Sequence, residues 1–331
     1  MSLVVTAAAQ NGAPPQSQDV TFDGLGVRLA GTLTLPKLEV GKRAPAVLIL
    51  GGAGATPRDG LTFGPAKHAI YRELAETLAA KGYASLRYDK RCVGASECRK
   101  AASFDDYIDD ARGALEFLRK HERVDAKRIF LFGHSEGGLI ASTLGANDER
   151  GLAGVTLAGS PGRNLSKLMR EWIQVRLADE KRPPEEVAAS LAKYDRIVRG
   201  LTNGRGQFPD EKFDKNNLVD GVLLDWIGQY EVVVSLLIND PLQIAANIKS
   251  PVLILQGRKD LQVAVKDGQY LEEALKRVNH PDTTLLLLDD VDHLLKTNKG
   301  AATLASYADA SRPLDAAMLG ALGEWMGKKA K

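Results

Sequence analysis

Four short apolar runs punctuate the chain without alternating polar and apolar residues: 46–50, 129–132, 252–255 and 285–288. An unbroken run of this kind marks a strand buried on both faces, as in a parallel sheet covered by helices. Residues 154–158 read as a further strand. Between the runs the spacing turns helical. Ile70, Leu74 and Leu78 recur four apart, as do Phe104 and Ile108 with Leu115 and Leu118 further round, and Leu271, Leu275 and Val278 share a stripe. Strand alternating with helix predicts an α/β fold, doubly wound about a mostly parallel sheet. The earliest strands differ, because 20–22 and 27–35 alternate polar with apolar about Asp23-Gly24-Leu25-Gly26, which predicts an antiparallel hairpin at the N-terminal edge. Leu314, Met318, Leu322 and Trp325 predict an amphipathic last helix.

One segment breaks this rhythm. From 164 to 248 no strand pattern appears, only helical ones: Leu168, Trp172 and Val175, then Val187, Leu191 and Tyr194, then 219–238, apolar nearly all round. A polar, glycine-bearing loop, 202–217, divides them. The expected organisation is a flexible segment 1–18, an α/β core of 19–163 and 249–331, and a helical insertion 164–248. That division settles the length, since 331 residues falls between one and two domains at about 150 each.

Composition narrows the function classes. Hydrophobic residues make up 44% and charged residues 26%, as in packed globular proteins. Lys plus Arg number 44 against 42 Asp plus Glu, a net charge of +2, so no general field gathers nucleic acid or an anionic bilayer. No apolar stretch approaches the roughly 18 to 20 residues that span a membrane. Residues 3–9 end in Ala7, Ala8 and Ala9, small residues like those at a secretory cleavage site, but no basic segment precedes them. A cytoplasmic location is favoured on that count. Export, with a trimmed signal and a bond between Cys92 and Cys98, stays open. Those two cysteines are too few for a disulfide framework or a four-cysteine zinc site.

The most specific chemical signal is Gly133-His134-Ser135-Glu136-Gly137, followed by Gly138, between the apolar strand ending at Phe132 and a helical run. A serine on a tight strand-to-helix turn needs small residues two before and two after it, and the turn lifts its hydroxyl clear of the sheet. Serine needs a base, and the base an orienting acid. His293 lies just past the last apolar strand. His134 is inside the turn, His68 and His121 fall in helical patterns, and His280 precedes Pro281. Asp260 follows the strand 252–255, while Asp289, Asp290 and Asp292 compete for the same role from beside His293. A neighbouring strand's end aims a carboxylate at the ring better than an adjacent residue does, so Asp260 is the expected acid, with Asp290 next. The chain order Ser, Asp, His excludes the chymotrypsin and subtilisin arrangements.

Gly51-Gly52-Ala53-Gly54-Ala55 follows the strand 46–50, and its small residues allow backbone N–H groups to approach a substrate carbonyl. The N–H groups of Ala53 and Glu136 are the expected oxyanion donors; losing one such donor costs roughly 3–4 kcal/mol of transition-state stabilisation. The run 52–57 misses the third glycine of a dinucleotide fingerprint, no P-loop lysine follows, and neither H-E-x-x-H nor a histidine cluster occurs. No cofactor and no metal are expected. Serine at the turn also excludes an aspartate-dependent dehalogenase.

Together, residues 133–138, the loop 51–60 with Pro57-Arg58-Asp59-Gly60, Arg87-Tyr88-Asp89-Lys90-Arg91 and Gln256-Gly257-Arg258-Lys259-Asp260-Leu261-Gln262-Val263 resemble the α/β-hydrolase superfamily. The resemblance is to its bacterial carboxylesterase branch, related to the serine aminopeptidases and prolyl-oligopeptidase-type hydrolases. It implies Ser135 as nucleophile, Asp260 as acid, His293 as base, Ala53 and Glu136 as oxyanion amides, and 164–248 as a cap. Two departures stand out. Relatives often carry histidine-glycine or serine in the oxyanion loop, where this chain has Gly51, Gly52 and Ala53. Cys92 occupies a position that is often glycine; it either touches the pocket, ties to Cys98 or stays inert. Gly52, His134, Cys92 and Trp226 are expected beside the pocket.

The expected activity is hydrolysis of small-molecule carboxylic esters of short to medium acyl chain through an acyl-enzyme. The alternatives are a peptidase or amidase, which needs a cap carboxylate such as Glu171, Asp225 or Glu231 for the substrate's ammonium, a thioesterase, or a catalytically silent hydrolase-fold binding protein. Oligomeric state is not encoded in any motif.

Overall fold

The computed structural model describes residues 16–63, 66–99, 102–203 and 212–330. In chain order its elements are β1 (Gln16–Gly24), β2 (Val27–Leu35), β3 (Ala44–Leu50), β4 (Leu61–Phe63), β5 (Ala66–His68), α1 (Ile70–Ala80), β6 (Ala84–Tyr88), α2 (Phe104–Lys120), β7 (Val124–His134), α3 (Glu136–Asn147) and β8 (Gly154–Ala158). There follow α4 (Leu165–Asp179), α5 (Pro184–Thr202), α6 (Leu218–Gly228), α7 (Tyr230–Ile238), α8 (Pro241–Ala245), β9 (Val252–Gly257), α9 (Val265–Arg277), β10 (Thr283–Leu288) and α10 (Ala316–Lys329).

Among the described residues one sheet has the strand order β1-β2-β6-β3-β7-β8-β9-β10, and β4 pairs with β5 apart from it. From β6 to β10 neighbouring strands are parallel; β1 and β2 run antiparallel at the edge, as the alternating pattern predicted. The unbroken apolar runs have a direct cause. In β3, Ala46, Leu48 and Leu50 pack with α2, α3 and α9, while Val47 and Ile49 join Tyr71, Leu74 and Leu78 of α1 and Met318 and Leu322 of α10. Each residue of 46–50 therefore enters one of two cores.

Strand order fixes where a site can form. From β3 the chain crosses to β6 on one side and then returns to β7 on the other, so the loops after β3 and β7 part company and leave a crevice at their C-terminal ends.

Four expectations differ in detail or lie partly outside the described residues. Of 1–18, residues 1–15 lie outside the described residues, and 16–18 already belong to β1. The stretch 219–238 is two helices, α6 and α7, bent by 102° at Gln229. His68 sits in β5, not in a helix. Of the loop 202–217, residues 204–211 lie outside the described residues, while the Asn217 side chain caps α6 by accepting from Val219 N and Asp220 N. Among the described residues no single helix is long and apolar enough to cross a membrane.

Helices α4 to α7, which lie between β8 and β9, carry an apolar cluster of their own, with Ile173, Leu177, Tyr194, Ile197 and Trp226 buried in it. Helix α7 serves both sides: Val232 and Leu236 face the core beneath, Val233 and Leu237 the insertion.

Candidate active site

At the end of β7 the backbone turns sharply, and Ser135 takes φ 54° and ψ −124°. A non-glycine residue in such a region is held there at a cost of about 1–3 kcal/mol, offset by its surroundings. The flanking glycines allow this packing. A Cβ on Gly133 would lie 2.4 Å from the Gly137 carbonyl oxygen, and one on Gly137 would lie 2.2 Å from that of Leu50. The turn is therefore pressed directly against the end of β3. Ser135 N–H donates to the Ala158 carbonyl at 3.0 Å.

Asp260 follows β9. Its Oδ1 accepts from Gln262 N and Val263 N, both at 2.8 Å, which aims Oδ2 at His293 Nδ1, also at 2.8 Å. A carboxylate accepts, so Nδ1 carries a proton, and in the neutral form of the ring the lone pair is on Nε2. The competing acids are engaged elsewhere: Asp289 with Arg258, Asp290 with Lys259 and Lys299, and Asp292 with Arg312. Gly159 sits under the pair, and a Cβ there would be 3.2 Å from Asp260 Oδ2 and 3.4 Å from His293 Nδ1. Ser135 N–H is hydrogen-bonded to Ala158, and Gly159, the next residue, lies against the Asp260–His293 pair, so the serine turn and that pair stand at neighbouring strand ends. Buried Tyr307 joins the acid and base loops, its Oη accepting from Leu261 N at 3.1 Å and His293 N at 3.4 Å.

His134 points inward, away from the crevice. Its Nε2 lies 2.7 Å from the His293 carbonyl oxygen, which only accepts, so Nε2 bears the proton. Nδ1 must then accept from the Tyr71 hydroxyl at 2.8 Å, and that hydroxyl accepts from Gly52 N–H at 2.7 Å. Burial, with His293 nearby as a second cause, pushes the His134 pKa down from 6.5 to about 3, so the ring is neutral. Burial likewise raises the Tyr71 phenol far above its ordinary range. A buried relay thus runs from the loop after β3 to the backbone of His293.

The same relay sorts the amides around Ser135. Gly52 N–H is taken by Tyr71, and Ser135 N–H by Ala158. Among the described residues, Ala53 N–H and Glu136 N–H have no acceptor. Glu136 is the first residue of α3, where helical N–H groups lack partners. Both residues line one cleft with Ser135. The cleft is narrow, with a cavity volume of about 60 Å³, and Phe104, Leu139, Leu165, Leu168 and Leu236 form an apolar wall. Two polar side chains join it, Asn239 and Arg163, the latter held by Asp267 at 2.6 Å and by Glu171.

Below the cleft, the run Arg87-Tyr88-Asp89-Lys90-Arg91 is a buried web of charge. Arg87 pairs with Asp59, Arg58 with Asp89 at 2.8 Å, and Arg91 with Asp110 at 2.7 Å. Burial pushes the Asp89 carboxyl up, and the Arg58 and Ala95 hydrogen bonds outweigh it, leaving the pKa below its ordinary value.

Of the residues expected beside the pocket, Gly52 is there: a Cβ on it would be 3.4 Å from Ser135 Cβ. His134 supports the site from behind. Cys92 is bonded to Cys98, with Cα atoms 4.2 Å apart, and lines a neighbouring cavity with Gly54, Ala55 and the cap residues Asp225 and Glu231. Its φ of 65° explains why glycine suits that position. Trp226 is a correction: it lies in the cap's own core, edge-on to Tyr194 at 5.7 Å, because its indole completes that cluster and does not face the cleft. Sequence reasoning missed Tyr71, Tyr307 and the separate part played by Lys90; the only advance signal was Lys90's place within the quoted charged run. Among the described residues no group of three or more His, Cys, Asp or Glu side chains could hold a metal ion.

A family model described as serine aminopeptidase, S33 (Hydrolase_4), matches residues 64–299. The esterase EstD of Thermotoga maritima is 28% identical over 316 residues, 95% of this chain and 68% of that protein. Among solved structures, the esterase Pf2001 of Pyrococcus furiosus has a TM-score of 0.62 at 19% identity, covering 96% of this chain and 92% of the other. Est1E from Butyrivibrio proteoclasticus, solved with ferulic acid bound, has a TM-score of 0.57 at 16% identity over 94% and 98% of the two chains. At these identities the two structures speak to the fold alone.

Proposed function

The chain belongs to the serine aminopeptidase S33 (Hydrolase_4) family of α/β-hydrolases and is a serine hydrolase of the esterase type; on that premise we propose that Ser135, His293 and Asp260 form its triad and that it cleaves esters of short to medium acyl chain. The observation that carries the triad is the 2.8 Å contact of His293 Nδ1 with Asp260 Oδ2, which leaves Nε2 as the base. The apolar wall of the cleft beside Ser135 supports an acyl chain as its occupant.

In this mechanism His293 Nε2 takes the Ser135 proton as Oγ attacks the ester carbonyl. The carbonyl oxygen becomes an oxyanion between Ala53 N–H and Glu136 N–H. As the intermediate collapses, the C–O bond to the alcohol breaks, and the imidazolium gives its proton to the leaving oxygen. Water then enters, His293 takes one of its protons, and the hydroxide adds to the acyl-enzyme. The second collapse releases the carboxylic acid and returns the proton to Ser135. Asp260 stays ionised throughout and holds the ring in its working tautomer.

The amidase reading is less well supported, because Glu171, one of the cap acids, is taken by Arg163 and Lys266. The deciding experiment compares p-nitrophenyl esters from acetate to decanoate with aminoacyl-p-nitroanilides. Ester turnover that peaks at short or medium chains is expected, with a loss of about a million-fold in Ser135→Ala at unchanged melting temperature. Turnover close to wild type in Ser135→Ala would overturn the proposal. Anilide turnover above ester turnover would move it to the peptidases, and ligand binding without turnover or fluorophosphonate labelling would make the chain a silent binder.

A further inference from the structure

Lys90 is buried, and its ammonium has an unusual set of partners. Nζ donates to the Gly52 carbonyl at 2.6 Å and to Glu136 Oε1 at 2.7 Å, and it lies 4.7 Å from the centre of the Tyr107 ring. Gly52 and Glu136 follow different strands, Gly52 in the loop after β3 and Glu136 at the start of α3 after β7. They are also the residues next to the two free amides: the Gly52 carbonyl belongs to the same peptide unit as Ala53 N–H, and Glu136 carries the other N–H itself.

A trans peptide points its C=O and N–H in opposite directions. Every described peptide bond is trans. Holding the Gly52 oxygen towards Lys90, with Thr56 Oγ1 adding a second bond at 3.1 Å, therefore turns Ala53 N–H away from the lysine and towards the wall it shares with Ser135. A positive charge on a carbonyl oxygen also withdraws electrons from the amide and makes its N–H a stronger donor, because hydrogen-bonded chains polarise one another. At the other end the ion pair fixes the first turn of α3, and with it Glu136 N–H. One ammonium thus sets the distance between two donors that no backbone bond connects.

We propose that Lys90 is a positioning residue that clamps both halves of the oxyanion hole through its bonds to the Gly52 carbonyl and the Glu136 carboxylate. The proposal rests on Ser135 as nucleophile. Lys90 touches no substrate; its effect reaches the reaction only through Ala53 and Glu136. It should accordingly appear in the transition state and not in ground-state binding.

The test is Lys90→Met, with active sites counted by the end-point of fluorophosphonate labelling. Per titrated site, kcat should fall about 100-fold or more while KM stays within about two-fold, the pattern of a lost transition-state interaction. A trifluoromethyl ketone, whose adduct bears the oxyanion, should lose affinity by a similar factor. Because one partner left alone is a buried unpaired charge, Lys90→Met with Glu136→Met is the second variant; it removes both charges and should show the same kcat and inhibitor losses. A kcat per site within about three-fold of wild type in either variant, or a change confined to KM, would overturn the clamp. Retained turnover in Ser135→Ala would instead overturn the reading on which it rests.

Discussion

Replacing Tyr71 by phenylalanine removes one oxygen atom, and that oxygen has two partners in the interior. It accepts from Gly52 N–H at 2.7 Å and lies 2.8 Å from His134 Nδ1. Tyr71 and His134 are both buried, so no bulk water replaces the lost bonds. Each buried polar group left without a partner costs about 1–3 kcal/mol, so two of them should lower stability by about 2–6 kcal/mol. Shifting the His134 proton does not rescue the relay, since protonating Nδ1 would empty Nε2 and break its 2.7 Å bond to the His293 carbonyl. The assay is urea unfolding of Tyr71→Phe beside Tyr83→Phe. Tyr83 is also buried but makes no side-chain hydrogen bond among the described residues, so its variant should stay within about 0.5 kcal/mol of wild type. Equal, small losses in the two variants would refute the relay.

Two further outcomes can be measured on the folded chain. His134 titrates near 3 when folded and near 6.5 when unfolded, so between those values the unfolded chain binds a proton that the native one refuses. Its contribution is intact above about pH 6.5 and falls with pH towards about 3, by about 2 kcal/mol at about pH 5. His134→Gln should flatten the acid limb of stability against pH by that amount, and an unchanged limb would exclude the assignment. For the cysteine pair, Cys92→Gly with Cys98→Ser should be more stable than Cys92→Ser with Cys98→Ser by about 1 kcal/mol in thermal melts, because glycine relaxes the positive φ at position 92. Equal melting temperatures would show that φ carries no strain.

The legible parts of this molecule were those in which one residue type serves one demand. The runs at 46–50, 154–158 and 252–255 are strands because both faces meet apolar cores, and the glycines around Ser135 announced a turn with no room for side chains. β6 escaped because Ser85 and Arg87 interrupt it, and both are buried, Arg87 through bonds to Thr34 and Asp59. β4 and β5, at three residues each, are too short for any period to register. The acid at His293 remained open between Asp260 and Asp290 until distance separated them. Tyr71 and Lys90 were invisible as site residues for a different reason. A buried hydroxyl or ammonium looks like a packing residue until its partners, 19 and 46 positions away at Gly52 and Glu136, are known.

Helix α7 has a consequence for how this sequence can change. Ile173, Leu177 and Tyr194 are buried only in the insertion's cluster, so substitutions there register locally, and distant independent sites tend to add. Val232 and Leu236 are the seam: they pack into the core beneath, and Leu236 also lines the cleft. Most of the insertion can therefore drift as a module of its own, leaving the sheet and its reacting groups untouched. Divergence in substrate shape has a short list of positions through which it must pass, Leu165 and Leu168 of α4 and Leu236 of α7, because these line the cleft.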